Sequence, residues 1–148
     1  MKPQLNKLAK GFLVRAEADL LVAGNEIKLF EDGTATEMIC FHAQQAVEKY
    51  LKALITSKDI SVPRTHSIEY LLEVCSDFDA DFKNIEADNL SIYAVEVRYP
   101  DSLWIPEAEE AKLAVDKARE IKKIVLEKLK LTNEDISKIR VEIINSSA

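Results

Sequence analysis

The sequence predicts an all-α protein, an up-and-down bundle of four to five helices. Three observations point there. Only three Gly and four Pro occur in 148 residues, too few for the many turns of a barrel or sandwich. Hydrophobic residues make up 47% and charged residues 31%, a balance that supports a core and excludes general disorder. Apolar residues also recur at spacings of three and four along most of the chain. At 16.7 kDa folding can bury about two thirds of the extended surface, so the core needs no metal or disulfide. One domain over residues 5–130 accounts for the bundle, and residues 131–148 form a short C-terminal appendage.

The first helix is expected over residues 5–23, its stripe running through Leu5, Leu8, Ala9, Phe12, Ala16, Leu20 and Ala23. Arg15 and Asp19 lie four apart beside that stripe and can pair. Gly24 and Gly33 then break the pattern and mark a connection. The second helix, from Thr34 to Ser57, carries the strongest signal. Ala53, Ala46, Ile39, Tyr50, Ala43, Leu54, Val47, Cys40, Leu51 and Ile55 fill an arc of about 200°. An arc that wide needs neighbours on more than one side, which makes this the central helix. Glu48, Lys52, Gln45, Thr56, Lys49 and His42 take the rest of the circumference, and Phe41 falls among them. A phenyl ring there is either solitary and exposed, shielded by a loop, or covered by a second subunit. Cover by a second subunit makes Phe41, Gln45 and Glu48 a homodimer interface.

Thr65 can cap a short third helix from His66 to Cys75, with Ile68, Leu71, Leu72 and Cys75 facing inward. A fourth is expected over residues 82–97, using Ile85, Leu90, Tyr93, Ala94 and Val97, and Pro100 stops it. A fifth spans residues 107–130 with Ala108, Ala111, Val115, Ala118, Val125 and Leu129 in line. Its acids cluster early and its lysines late, as the helix dipole favours. Beyond it, Thr132 and Asp135 resemble a capping pair, yet Ile139 to Ile144 alternates enough to be a strand. Both readings stay open.

The formal net charge is −6, which argues against strong non-specific nucleic-acid binding. The imbalance is uneven: Glu69 to Glu96 holds eight acids and one lysine, whereas His42 to His66 holds four basic residues and two acids. Cys40 and Cys75 fit two reduced thiols better than a disulfide framework. No apolar run reaches membrane-spanning length and no signal-peptide core is present, so the expectation is a cytoplasmic protein without membrane association.

Catalytic chemistry meets a shortage. His42 and His66 are the two histidines, which excludes His-rich zinc sites and HExxH. No phosphate loop, dinucleotide fingerprint or nucleophile elbow occurs. Neither a metal nor a cofactor is called for. His42, Gln45, Lys49 and Lys52 share one helical face, which either accepts a phosphate or other anion or simply keeps the helix solvated. His66, after Pro63-Arg64-Thr65, is either a structural residue at a helix start or a ligand contact and general base. Arg98 either pairs with a carboxylate or holds a phosphate.

These segments resemble the HEPN domain family (higher eukaryote and prokaryote nucleotide-binding). The resemblance rests on Ala16-Glu17-Ala18-Asp19-Leu20 and on the run from Phe41 to Leu54, FHAQQAVEKYLKAL. It continues through Thr65-His66-Ser67-Ile68, Leu71-Leu72, Arg98-Tyr99-Pro100-Asp101 and the Ala-rich last helix. It implies a dimerising helical bundle. Members are often encoded beside a minimal nucleotidyltransferase and act with it as toxin–antitoxin or regulatory pairs; others are metal-independent ribonucleases with an Arg-x(4–6)-His site across the dimer. This chain departs from that spacing. After Arg15 the next histidine is His42, Arg64 is two residues before His66, and none follows Arg98. The first reading is therefore a non-catalytic partner of a minimal nucleotidyltransferase that also binds a nucleotide through His42, Lys49, Lys52, His66 or Arg98. The rivals are an unusual ribonuclease using His66 or His42 with Arg98, and a purely structural association module.

Overall fold

A computed structural model describes residues 4–29, 34–94, 101 and 104–147. Among the described residues five α-helices form the bundle: α1 (Lys7–Lys28), α2 (Thr36–Ser57), α3 (Ile68–Phe78), α4 (Ala108–Leu129) and α5 (Asn133–Ser146). No strand occurs among the described residues. All ten residues of the expected apolar arc of α2 are buried, and α2 packs against α1, α4 and α3. It is the central helix. Asn6 ties two ends together: its Oδ1 caps α1 by accepting from the Ala9 amide at 2.8 Å, while its Nδ2 donates to the Thr56 carbonyl at 2.9 Å. The start of α1 therefore meets the end of α2. At the far end Thr36 donates to the Pro106 carbonyl at 2.6 Å, fixing the entry to α4.

Three local expectations are corrected, and one open reading is decided. α1 does not stop at Ala23 but continues through Gly24 to Lys28. A glycine in a helix interior costs stability without forbidding the helix, and Gly24 is buried against α4. The cap of α3 is Ser67, which accepts from the Tyr70 amide at 3.2 Å, while Thr65 accepts from the Ser67 amide in the approach to the helix. The expected fourth helix is two 3₁₀ segments, Ala80–Asn84 and Leu90–Ala94. Between them Asp88 and Asn89 adopt positive φ of 50° and 63°, a left-handed step that Asp and Asn tolerate and a continuous α-helix does not. Phe82, Leu90, Tyr93 and Ala94 still reach the core; residues 95–97 lie outside the described residues. The tail, finally, is helical. Thr132 and Asp135 form a reciprocal capping box, and Ile136 and Ile139 are buried; the alternation after Ile139 belongs to a helix that packs against α1.

Ser91 Oγ accepts from the Ile68 amide at 2.8 Å and donates to Glu69 at 2.6 Å, docking the second 3₁₀ segment on α3. Partial burial opposes ionisation of Glu69, but hydrogen bonds from Ser91 and Ser67 outweigh it and hold the carboxyl below its ordinary value. Cys40 and Cys75 are both free and fully buried. Burial, with the Glu110 charge near Cys40 and Asp79 near Cys75, pushes both thiols up to about 12. Thiolate is the reactive species, so neither cysteine should react with iodoacetamide at pH 8 until denaturant is added, as mass spectrometry will read; native-state labelling at either position would contradict this packing.

Candidate functional site

The polar side of α2 does not lie open to solvent. It is organised around two carboxylates. Asp19 projects from α1 and receives His42 Nδ1 at 2.8 Å on one oxygen and Lys49 Nζ at 2.5 Å on the other. His42 and Lys49 are seven residues apart, two helical turns, so both face the same point on α1. Glu48 is the second centre. Its Oε1 accepts from His66 Nδ1 at 2.8 Å and from Gln44 Nε2 at 3.3 Å, and its Oε2 pairs with Lys52 at 3.1 Å. Gln44 also reaches the His66 carbonyl at 3.3 Å and accepts from Gln45 Nε2 at 2.7 Å. The loop before α3 is thereby anchored to α2 by side chain and backbone together.

Glu48 and Lys52 are only 4% and 9% exposed, though the helical wheel places them on the outer arc. Burial of the two charges is compensated because they neutralise each other four residues apart and His66 and Gln44 fill the remaining lone pairs. A carboxylate only accepts, so Nδ1 of each histidine donates the shared proton. His66 keeps 62% of its side chain exposed and His42 26%. The unburied stripe of α2 is narrow: Met38 is exposed, and Phe41, His42, Gln45 and Lys49 are half-buried. Phe41 presents its ring edge to His42, centroids 5.5 Å apart.

The structure thus brings His42 and Lys49 together on Asp19, and His66 and Lys52 together on Glu48. It does not leave Lys49 and Lys52 as a free pair of ammoniums. Arg98 lies outside the described residues. Arg15 does not pair with Asp19; it donates to the Gly11 carbonyl at 3.3 Å, because Asp19 is committed to α2. The sequence reading misses Asp19 and Gln44 as site residues. Asp19 stands within the resembling first-helix element, which was the signal available. It also misses Glu17, which accepts from the Tyr50 hydroxyl at 2.6 Å and pairs with Lys122 at 2.8 Å. Burial and the Glu17 carboxylate push the Tyr50 phenol upward. Among the described residues no group of three or more His, Cys, Asp and Glu side chains is placed to hold a metal ion, and no helix is long and apolar enough to cross a membrane.

A helical bundle built on α2, with its Gln-Gln and Glu-Lys pairs locked to a histidine from the next loop, defines the class of this protein. The HEPN domain model matches residues 9–129, and the chain belongs to the HEPN domain family. Two solved structures are similar to it. TT1696 from Thermus thermophilus is 30% identical, with 81% of this chain and 97% of that one covered at a TM-score of 0.62. ST0689, an archaeal HEPN homologue, is 26% identical, with 82% and 97% covered at a TM-score of 0.60. No curated protein matches the chain.

Proposed function

We propose that this HEPN-domain protein is a non-catalytic homodimer that docks a minimal nucleotidyltransferase. The observation that carries the reading is the saturation of the α2 cluster: Lys49 and Lys52 each sit on a carboxylate, and the same carboxylates hold both histidines. A nucleotide phosphate there would have to displace Asp19 or Glu48, so the reading places no nucleotide at this cluster. What the cluster does support is a rigid, nearly neutral face flanked by Met38, Phe41 and Gln45, suited to association. Co-expression with a minimal nucleotidyltransferase and co-purification through a tag on the latter tests it. A complex retained at physiological salt is the expected result, and free migration of both proteins would remove the reading.

One observation favours a second reading. Glu48 holds His66 through Nδ1 while most of the His66 side chain stays exposed, an arrangement that serves acid–base chemistry when a substrate binds. This would make the protein an unusual ribonuclease using His66 with Arg98. Incubation of the isolated protein with structured and unstructured RNA should show no cleavage above a buffer control. Cleavage lost in both His66→Ala and Arg98→Ala would reverse the ranking.

A further inference from the structure

A groove of about 580 Å³ lies between the second 3₁₀ segment and the first half of α4. It shares no residue with the α2 cluster. Its floor is apolar: Leu90 and Ala114 are buried, and so is Tyr93, on whose ring Trp104 stacks with centroids 5.6 Å apart. Leu113 on the wall is nevertheless 60% exposed, and Trp104, at the Tyr93 end, 37%. Apolar side chains left in water beside an apolar floor mark an association surface. The rim is acidic. Asp88, Glu110, Asp116 and Glu120 face one ammonium, Lys117, which is already shared between Asp88 at 2.9 Å and Glu120 at 3.3 Å.

Glu110 sets this rim apart from ordinary surface acid. It is half-buried, and among the described residues its hydrogen-bond partner is neutral, the Tyr93 hydroxyl, which donates at 2.5 Å. A carboxylate drawn out of water without a cation is costly to keep charged, and a cation arriving from outside relieves that cost. The charge of the chain points the same way. Residues 69–120, which span most of α3, both 3₁₀ segments and the first half of α4, hold fourteen acids and five bases, whereas the rest of the chain holds twelve acids and fifteen bases. The acidic excess therefore lies in the segments around the groove, and its field steers a basic partner there.

We infer that this groove docks a basic, amphipathic segment of a protein partner, with an arginine on Glu110, apolar side chains on Leu113 and Trp104, and further cations along Asp116 and Glu120. Arginine suits Glu110 because a planar guanidinium meets a carboxylate through two parallel hydrogen bonds and stacks on an aromatic face. The inference rests on the reading that this protein docks another, and it seats that partner away from the α2 stripe. A synthetic peptide with arginines and leucines at helical spacing is the probe, beside versions carrying glutamate for arginine or serine for leucine. Calorimetry measures affinity, and the emission of Trp104, the one Trp of the chain, reports occupancy of the groove. The Arg/Leu peptide should bind and shift that emission, with affinity falling as salt is raised. The Glu/Leu peptide should not bind, and the Arg/Ser peptide should bind about tenfold or more weakly. Glu110→Gln/Asp116→Asn should lose about tenfold or more in affinity, while the glutamine keeps an acceptor for Tyr93. Glu73→Gln/Asp77→Asn removes the same charge from the exposed side of α3 and should keep wild-type affinity. No binding of the Arg/Leu peptide, unchanged Trp104 emission, or equal losses in both double variants would overturn the inference. So would self-association of the chain alone that Asp116→Lys abolishes and Phe41→Asp does not, which would give the groove to a second copy. Arg/Leu peptide binding without a complex between the chain and a minimal nucleotidyltransferase would support the groove and remove only that choice of partner.

Discussion

Glu48→Ala will destabilise the fold by about 3–5 kcal/mol, the cost of removing one partner of a buried ion pair. Lys52 is 9% exposed and has Glu48 as its carboxylate at 3.1 Å, so the variant leaves an ammonium in the interior without compensation. It also frees the His66 ring and one donor of Gln44, loosening the loop before α3. Urea denaturation at neutral pH measures the loss. A double variant, Glu48→Ala/Lys52→Met, removes both charges while keeping the aliphatic volume of residue 52, and should recover a large part of the stability. A loss below about 1 kcal/mol for Glu48→Ala would mean that the ammonium reaches water, as an exposed pair does.

Phe41→Asp is expected to convert the proposed dimer to a monomer. The proposal places the stripe of Met38, Phe41 and Gln45 against its copy in a second subunit, and a central aromatic residue is the kind of anchor on which such interfaces depend. An aspartate there would carry an unpaired charge into the contact. Phe41 is only half-buried within the chain, so the substitution should leave the helical content intact. Sedimentation at tens of micromolar should give twice 16.7 kDa for wild type and 16.7 kDa for the variant. Wild type sedimenting as the smaller species would remove the dimer. Glu48, which the sequence places at the same interface, is turned inward to His66 and Lys52, leaving Phe41 and Gln45 as the residues to test.

The helical bundle was legible because one physical signal dominates it. Each of the ten apolar residues of the α2 arc is buried, and α4 begins and ends within one residue of the expected bounds. Periodicity fails where backbone conformation decides the outcome. Asp88 and Asn89 step into left-handed space, and the apolar spacing of residues 82–94 carries no trace of that step. Gly24 reads as a breaker because propensity says nothing of the packing of α1 against α4. The candidate site was legible in its residues but not in its wiring. His42, Lys49, Lys52 and His66 all stand out in the sequence, yet their partners Asp19 and Glu48 read as a surface acid and an outer-arc residue. Which carboxylate meets which cation depends on the crossing of α1 with α2 and on a loop folding back, and a single helical wheel contains neither.

The capping box of α5 has a dynamic consequence. A helix started by its own Thr132 and Asp135 side chains needs little from the bundle to begin, and it is held there chiefly by Ile136 and Ile139, with Lys10 and Glu142 closing the edge. Such an element is expected to open as a separate cooperative unit, at a free energy below that of global unfolding. Amide exchange is therefore expected to be faster along α5 than along α2 or α4, and opening of α5 would uncover Leu5, just ahead of α1, and Phe12 on α1.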